Sequence, residues 1–392
     1  MRSLRWLVLA GTLAGLWLAA AQEDTLTLRD RAAALVEAGK YAEAEPLLAR
    51  ALAAAEKDGG ADSLALTPVL GELAALYRAE GRDADAEKLY LRSLAIQERA
   101  LGSDSVDIIP DLKLLGHAYV ALTRFNDAER CLLRAVSVRL KGKGPNDPDL
   151  ATDSVELADF YISRKRFAVA EPNLRTAIRI IEANRGPEDP ALVPVLDSLA
   201  TVFIEQKNYP PAEAPLRRAV SIQEGANGPS HVNVAPRLDR LAMLFYLEKR
   251  YDEAEPLYKR SLAIWESVMG PDNPDLATTL DNLAVVYASQ DKFEEAEPLY
   301  RRSLALREKT AIASLNNLGM VLEGKGQDAA AERQYKAAVT LADRMPLAPG
   351  ADNDALVRTL QNYAAMLHRL KRDAEAKKLE ARAKALTKSD KQ

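Results

Sequence analysis

The sequence has few of the residues on which enzyme and metal sites depend. Its 392 residues include one cysteine and three histidines. The histidines, His117, His231 and His368, lie more than a hundred residues apart, and none has a Cys or His neighbour at the spacing of metal ligands. No glycine-rich segment follows a strand-like pattern, so a phosphate-binding loop is not expected. We therefore expect no metal, no cofactor and no catalysis.

The chain also has few aromatic residues and little net charge. Aromatic residues make up 6% of the sequence and charged residues 28%, and the formal net charge is −4. This composition is typical of a helical protein built from small repeated packing units. A nearly balanced charge gives no general affinity for nucleic acid or for an anionic membrane. The partner we expect is a protein or a peptide.

Long apolar runs are absent except at the start of the chain. Arg2 and Arg5 precede an apolar core from Trp6 to Leu18, and three alanines end the segment at Ala21. This layout predicts a signal peptide over residues 1–21, and its core is too short for a comfortable membrane span. We expect export, most of all to a bacterial periplasm, with no stable membrane span after cleavage. A secreted or signal-anchored protein is the alternative.

A repeat with a period of 42 residues organises the rest of the chain. The segment YDEAEPLYKRSLAIWE, which starts at Tyr251, returns as FEEAEPLYRRSLALRE from Phe293. An eighth copy follows at Ala331, only 35 residues after the seventh, and a degenerate ninth centres on Ala376. The Ala-Glu pair of this segment recurs every 42 residues, at Ala44, Ala86, Ala128, Ala170, Ala212, Ala254 and Ala296. A glycine recurs at the same interval, at Gly60, Gly102, Gly144, Gly186, Gly228 and Gly270.

Each repeat is predicted to contain two helices. In TLDNLAVVYASQ, the side chains of Leu280, Leu283 and Tyr287 share one apolar stripe because of their helical spacing. The second helix is predicted to end at the recurring glycine, which suits a left-handed helix cap. We predict Asp149 and Asp275 as caps at the start of first helices.

The seventh repeat departs from this pattern. It lacks the Gly-Pro loop and runs from REKT directly into AIASLNNLG. We therefore expect a tighter junction between two helices near Thr310. The predicted repeats lie near 25–66, 67–108, 109–150, 151–192, 193–234, 235–276, 277–311, 312–353 and 354–385, followed by a polar tail at 386–392.

The conspicuous charges of the repeated segment are interpreted as scaffold. An acid stands four residues before a base in Glu171/Arg175, Glu213/Arg217, Glu255/Lys259, Glu297/Arg301 and Glu332/Lys336. Such pairs stabilise a helix by roughly 0.2–0.5 kcal/mol each. A second set of arginines is predicted to brace neighbouring helices: Arg50, Arg92, Arg134, Arg218, Arg260 and Arg302.

The phrases GPDNPDLATTLDNLAVVY and FEEAEPLYRRSLALREK resemble the tetratricopeptide repeat in the 42-residue form of kinesin light chains. The resemblance extends from about Leu26 to Ala385. It implies an all-α fold, a right-handed α-solenoid of about eight to nine helix pairs, with a concave groove lined by the first helices. Such repeats bind peptides or protein surfaces and have no catalysis of their own.

The resemblance also implies a role for three asparagines. In the family, an asparagine at the position of Asn282 often bonds to the backbone of a bound peptide, which an amide can do as donor and acceptor. Only Asn317 and Asn362 keep this residue in the other repeats. The alternative is that these amides satisfy a neighbouring carbonyl group.

The expected groove positions differ in charge along the chain. The first five repeats contribute Asp30, Glu37, Glu72, Glu156, Asp159 and Glu205, and the last four contribute Arg240, Arg358 and Arg369. We expect an acidic N-terminal end that would bind the basic part of a ligand. The predicted site thus comprises Asn282, Asn317, Asn362, Arg240, Arg358, Glu72, Glu156 and Asp159.

The sequence therefore predicts an exported scaffold or adaptor without enzymatic activity. Two alternatives remain open: a structural protein of the cell envelope that self-associates or acts as a spacer, and an accessory subunit of an envelope enzyme complex.

Overall fold

A computed structural model of the protein describes residues 24–344 and 354–389. The expected signal peptide over residues 1–21 lies outside these ranges. All regular secondary structure in the described ranges is helical, which confirms the all-α class. None of the described helices combines the length and the apolar content that a membrane span requires.

The chain divides into two compact units between Gln206 and Lys207. In unit one, single turns of 3₁₀ helix at Leu64–Leu66 and Val106–Ile108 precede the third and fifth α-helices. The helices of unit one are α1 Thr25–Glu37, α2 Tyr41–Gly59, α3 Thr67–Ala79, α4 Asp83–Leu101, α5 Ile109–Ala121, α6 Phe125–Lys143, α7 Pro148–Ser163, α8 Phe167–Arg185 and α9 Leu192–Glu205.

Unit two continues the alternation of first and second helices. A 3₁₀ turn at Val232–Val234 precedes its second α-helix. The helices of unit two are α10 Pro210–Asn227, α11 Ala235–Leu247, α12 Tyr251–Met269, α13 Leu276–Ala288, α14 Phe293–Gly324, α15 Asp328–Asp343, α16 Asp354–Arg369 and α17 Asp373–Ser389. Helix α17 thus includes part of the segment that we expected as a polar tail.

The small and large residues of the repeat form the core. The alanine of each Ala-Glu pair is buried, and at Ala86 and Ala254 its exposure is 0%. A methyl group at this position lets the paired first helix approach closely, and apolar residues of that helix, such as Leu28 near Ala44, fill the space beside it. The 42-residue period therefore marks the packing contacts as well as the helix boundaries.

The helix ends differ from the prediction in one respect. The recurring glycines have positive φ angles, for example +96° at Gly186, and so end the second helices as expected. The first helix α7 is capped by Asp147 and not by Asp149, because the side chain of Asp147 accepts the N–H of Asp149 at 3.0 Å. Pro148 takes the first helical position, where its missing N–H costs nothing, so the cap must precede it.

The same correction applies to α13. The side chain of Asp275 makes no capping bond there. The side chain of Asn273 instead accepts the N–H of Asp275 at 2.8 Å. In both loops the cap thus precedes the predicted aspartate by two residues.

The expected junction near Thr310 is wrong. Helix α14 runs without a break from Phe293 to Gly324, a length of 32 residues. Between Pro298 and Gly319 the sequence has neither glycine nor proline and is rich in Leu, Ala and Arg, which favour helix. Nothing in this segment stops the helix, so the second helix of the seventh repeat and the first helix of the eighth are continuous.

The charged residues of the repeat hold the scaffold together as predicted. The five acid–base pairs are formed, at 2.6–2.8 Å. Four of the six bracing arginines donate to backbone carbonyl groups of the preceding loop, for instance Arg134 to Ser103 at 2.9 Å and Arg260 to Pro229 at 2.7 Å. These contacts join consecutive repeats.

Candidate ligand-binding cavity

Unit one contains a cavity of about 850 Å³. Its walls come mainly from the first helices α5, α7 and α9 and from the second helix α8. Most of the lining side chains are apolar. Each of the four helices contributes at least one of them, namely Val120, Val155, Ile181 and Val195. A cavity of this size with apolar walls and a few polar groups is the usual form of a ligand site.

Glu156 forms the centre of a polar cluster at the cavity. One carboxylate oxygen lies 2.7 Å from His117 Nε2, and the other pairs with Lys113 Nζ. Burial favours the neutral acid, but the bonds from His117 and Lys113 outweigh it and hold the pKa of Glu156 below its ordinary value. Glu156 is therefore charged and already neutralised by its neighbours.

Asp159 lies one helical turn further along α7 and differs from Glu156. It lines the same cavity and is exposed, and it forms no hydrogen bond or ion pair with the described residues. Partial desolvation, together with the nearby charge of Glu156, raises its pKa above the ordinary value. A cation from a ligand would relieve both effects, so Asp159 is the acceptor that a basic ligand group would find free.

The structure places the predicted site residues in several surroundings within the two units. Glu156 and Asp159 line the cavity of unit one. Asn362 lines a smaller cavity of about 500 Å³ in unit two, together with Met320 and Arg369. Five predicted residues line neither of these two cavities: Glu72, Arg240, Asn282, Asn317 and Arg358.

The three asparagines have different surroundings. The amide of Asn362 donates to the side-chain oxygen of Asn316 at 3.0 Å. The side-chain oxygen of Asn317 accepts a longer bond of 3.4 Å from Asn316. Asn282 is half-buried on α13. Their use in peptide binding stays a prediction.

Much of the predicted charge difference is cancelled by neighbouring helices. Arg29 Nε lies 3.0 Å from both carboxylate oxygens of Glu72. At the other end, Arg369 contacts Glu323 at 3.1 Å and Asp328 at 2.6 Å. Arg358 donates to the backbone oxygen of Asp354 at 3.3 Å. Of the predicted acids in unit one, Asp159 is the one at the cavity that lacks a counter-ion among the described residues.

Sequence reasoning missed several cavity residues. His117, which has no partner at metal-ligand spacing, lines the cavity, and so do Val155 and Val195, which belong to no motif. His117 stands one period before Asp159, so the repeat itself places both in the same row of first helices. Extending that row to all residue types would have identified His117 as a groove residue.

Solved structures with a related fold are distant in sequence. BtubC (BKLC) from P. vanneervenii is 23% identical, with a TM-score of 0.47 over 56% of this chain and 89% of that chain. A kinesin-light-chain-type protein with nearly identical TPR-like repeats, from Podosopora anserina, is 22% identical, with a TM-score of 0.47 over 52% and 97%. Aspartyl phosphate phosphatase F from Bacillus subtilis is 14% identical, with a TM-score of 0.47 over 92% and 93%.

No curated protein sequence matches this chain. A tetratricopeptide repeat family model matches residues 24–90, 66–141, 148–225 and 234–309. A second tetratricopeptide repeat model matches residues 312–344. Together these matches extend over most of the sequence and agree with the helix pairs of both units. The chain belongs to the tetratricopeptide repeat family.

Proposed function

We propose that this protein is an exported adaptor that binds an extended protein segment in the cavity of unit one. The segment would carry an apolar side chain next to a lysine or an arginine. Tetratricopeptide repeats are protein-interaction scaffolds, and this supports a protein as the ligand. The observation that carries the proposal is the apolar cavity of about 850 Å³ with the unpaired carboxylate of Asp159 beside it.

The two kinds of group in the cavity would have separate roles. Val155, Ile181 and Val195 would bury the apolar side chain, whose removal from water supplies affinity. Asp159 would pair with the basic side chain and so determine which segments bind. Glu156 is already paired with Lys113 and His117. It would therefore hold helices α5 and α7 together and not contact the ligand.

A role in binding and not in catalysis agrees with the state of the only thiol. Burial, followed by the charge of Asp127, raises the pKa of Cys131 to about 11. The thiol is therefore protonated at neutral pH, and a protonated thiol is a poor nucleophile. This supports a structural role for Cys131 within the scaffold.

A peptide array tests the cavity. Peptides with an apolar residue beside Lys, Gln or Glu would be measured against the purified protein by fluorescence anisotropy. We expect Val155→Arg, which fills the cavity with a charge, to weaken binding by about tenfold or more. Val169→Arg is the matched control, because this side chain is exposed on α8 and does not line the cavity.

The same array separates the role of Asp159. Asp159→Asn should remove the preference for Lys over Gln while leaving the apolar preference intact, because only the charge is lost. Equal losses from Val155→Arg and Val169→Arg would show that the ligand binds elsewhere.

Export rests on the layout of residues 1–21 and needs its own test. Expressed in a bacterium, the protein should appear in the periplasmic fraction with Gln22 at its N-terminus. Recovery in the cytoplasm with Met1 retained would refute export and leave the binding proposal untouched.

A further inference from the structure

Helix α14 exposes an apolar stripe whose equivalents in the other repeats are buried or half-buried. Phe293 is 59% exposed, Tyr300 40%, Leu304 56% and Leu318 46%. The spacing of these residues is seven, four and fourteen, so all four side chains lie on one face of the helix. Among the described residues, fifteen large apolar side chains are exposed, and α14 carries five of them.

The residues equivalent to Tyr300 show what this face does elsewhere. One period earlier stands Tyr258, which is 2% exposed, and in the following repeat stands Tyr335, which is 0% exposed. The equivalents in the first five repeats are also 3% exposed or less: Leu48, Tyr90, Leu132, Leu174 and Leu216. The position of Tyr300 therefore belongs to the core in these repeats, but in α14 no neighbouring helix covers this side chain.

The junction between α2 and α3 shows which residues cover this position in another repeat. There, Leu48 of α2 and Leu73 of α3 belong to one apolar cluster, and Leu52 packs against it. By the repeat, Leu48 corresponds to Tyr300, Leu52 to Leu304 and Leu73 to Leu318. The stripe on α14 therefore carries two surfaces that pack against each other at other junctions between repeats. Tyr300 and Leu304 form the surface of a second helix, and Leu318 forms the surface of the following first helix.

A continuous helix keeps these two halves apart. Tyr300 and Leu318 are separated by 18 residues, which is five turns and about 27 Å along the helix. Both side chains point in the same direction, and neither can reach the other within one chain. The eighth repeat follows the seventh after 35 residues and not 42, so the loop that would turn the chain back is absent.

We propose that α14 pairs antiparallel with α14 of a second copy of this chain. Tyr300 and Leu304 of each copy then pack against Leu318 of the other. Consecutive helices joined by short loops run antiparallel, so this pairing reproduces the contact that the other repeats make within one chain. A two-fold axis across the middle of α14 forms both contacts at once and closes the assembly at two copies.

The mass in solution is the first test. Sedimentation equilibrium of the purified protein should give about twice the mass of one chain. A double variant, Tyr300→Glu with Leu304→Glu, places two carboxylates in the apolar contact and should weaken the dimer by about tenfold or more. Leu133→Glu is the matched control, because Leu133 is also an exposed leucine of a second helix, at 45%, and this variant should remain dimeric. A wild-type monomer at all concentrations would overturn the proposal.

A disulfide experiment distinguishes pairing of α14 between two chains from bending of α14 within one chain. In a Cys131→Ser background, Tyr300→Cys and Leu318→Cys are combined and oxidised. Because the two residues are about 27 Å apart in one helix, our pairing predicts a disulfide between chains and a covalent dimer on a non-reducing gel. A disulfide within one chain would show that α14 bends back on itself. A dimer without any disulfide would refute the antiparallel pairing. The single-cysteine variants serve as controls.

Discussion

Two junctions in unit two carry the same apolar residues and differ in what covers them. Between α12 and α13, the chain turns at Gly270, and Tyr258 and Leu283 are each 2% exposed. In the middle of α14 there is no turn, and the equivalents Tyr300 and Leu318 are 40% and 46% exposed. The apolar pattern is nearly unchanged, so a loop of seven residues decides whether the pattern forms a core within the chain.

The largest expected effect compares two equivalent tyrosines. Tyr335 is fully buried, and its hydroxyl donates to Glu323 at 3.1 Å. We expect Tyr335→Ala to cost about 3–5 kcal/mol in the free energy of unfolding, as for other large aromatic residues of a core. Tyr300→Ala should cost less than about 1 kcal/mol under conditions where the protein is monomeric, because this residue is already 40% exposed. Chemical denaturation of both variants measures the difference, and equal losses would contradict the assignment of Tyr300 as uncovered.

A loop insertion should convert one junction into the other. Copying the segment GPDNPDL, residues 270–276, between Ala311 and Ile312 restores the 42-residue period. We expect Tyr300 and Leu304 to become buried, with a gain of about 1.5–3 kcal/mol for each side chain that is fully covered. Thermal unfolding and sedimentation would show a more stable monomer.

An insertion of equal length without glycine or proline is the control for that experiment. It lengthens the helix, but it supplies no turn, so the stripe on α14 should stay exposed. If both insertions gave the same stability, the turn would not be the cause of the difference between the junctions.

A smaller effect concerns the carboxylates that join repeats. Glu129 accepts a bond of 3.0 Å from the hydroxyl of Tyr161, and it also pairs with Arg166. At the junction in α14, the equivalent Glu297 pairs, among the described residues, with Arg301 of its own helix at 2.6 Å and with no neighbouring helix. We expect Glu129→Ala to lower the melting temperature by a few degrees and Glu297→Ala to leave it almost unchanged. Differential scanning calorimetry of the two variants tests this, and a larger loss from Glu297→Ala would contradict it.

The smallest effect is a dependence on pH at the last helix pair. His368 Nδ1 lies 2.6 Å from Asp373, and Nε2 lies 3.1 Å from Glu380. Hydrogen bonds to Asp373 and then to Glu380 raise the pKa of His368 above 6.5. The charged imidazole therefore stabilises the fold below pH 6.5, and this contribution is lost as the pH rises through the raised pKa.

The measurement compares melting temperatures at pH 6 and pH 8. Wild type should lose slightly more stability at the higher pH than His368→Gln, which cannot be protonated. An identical change in both proteins would exclude His368 as the cause.

The fold was predictable to a large extent, and the site was predictable in part. The period of 42 residues located the helix pairs, the buried alanines and the glycine ends, because these depend on local spacing and on backbone angles. The caps lie two residues before the predicted ones, at Asp147 and Asn273; at α7 the physical reason is that Pro148 occupies the first helical position. Glu156 and Asp159 were identified as groove residues, and both line the cavity.

The sequence by itself determined the class of fold and the chemical types of residue that each helix face presents. The spacing of residues along a helix does not depend on residues that are distant in the sequence, so it can be predicted from the sequence. Only the tertiary structure decided which charges remain free. Lys113 neutralises Glu156 and Arg29 neutralises Glu72 across neighbouring helices, at distances that no spacing within one helix encodes. It also decided that Tyr300 stays uncovered, because a core position becomes buried only when the chain turns back to cover it.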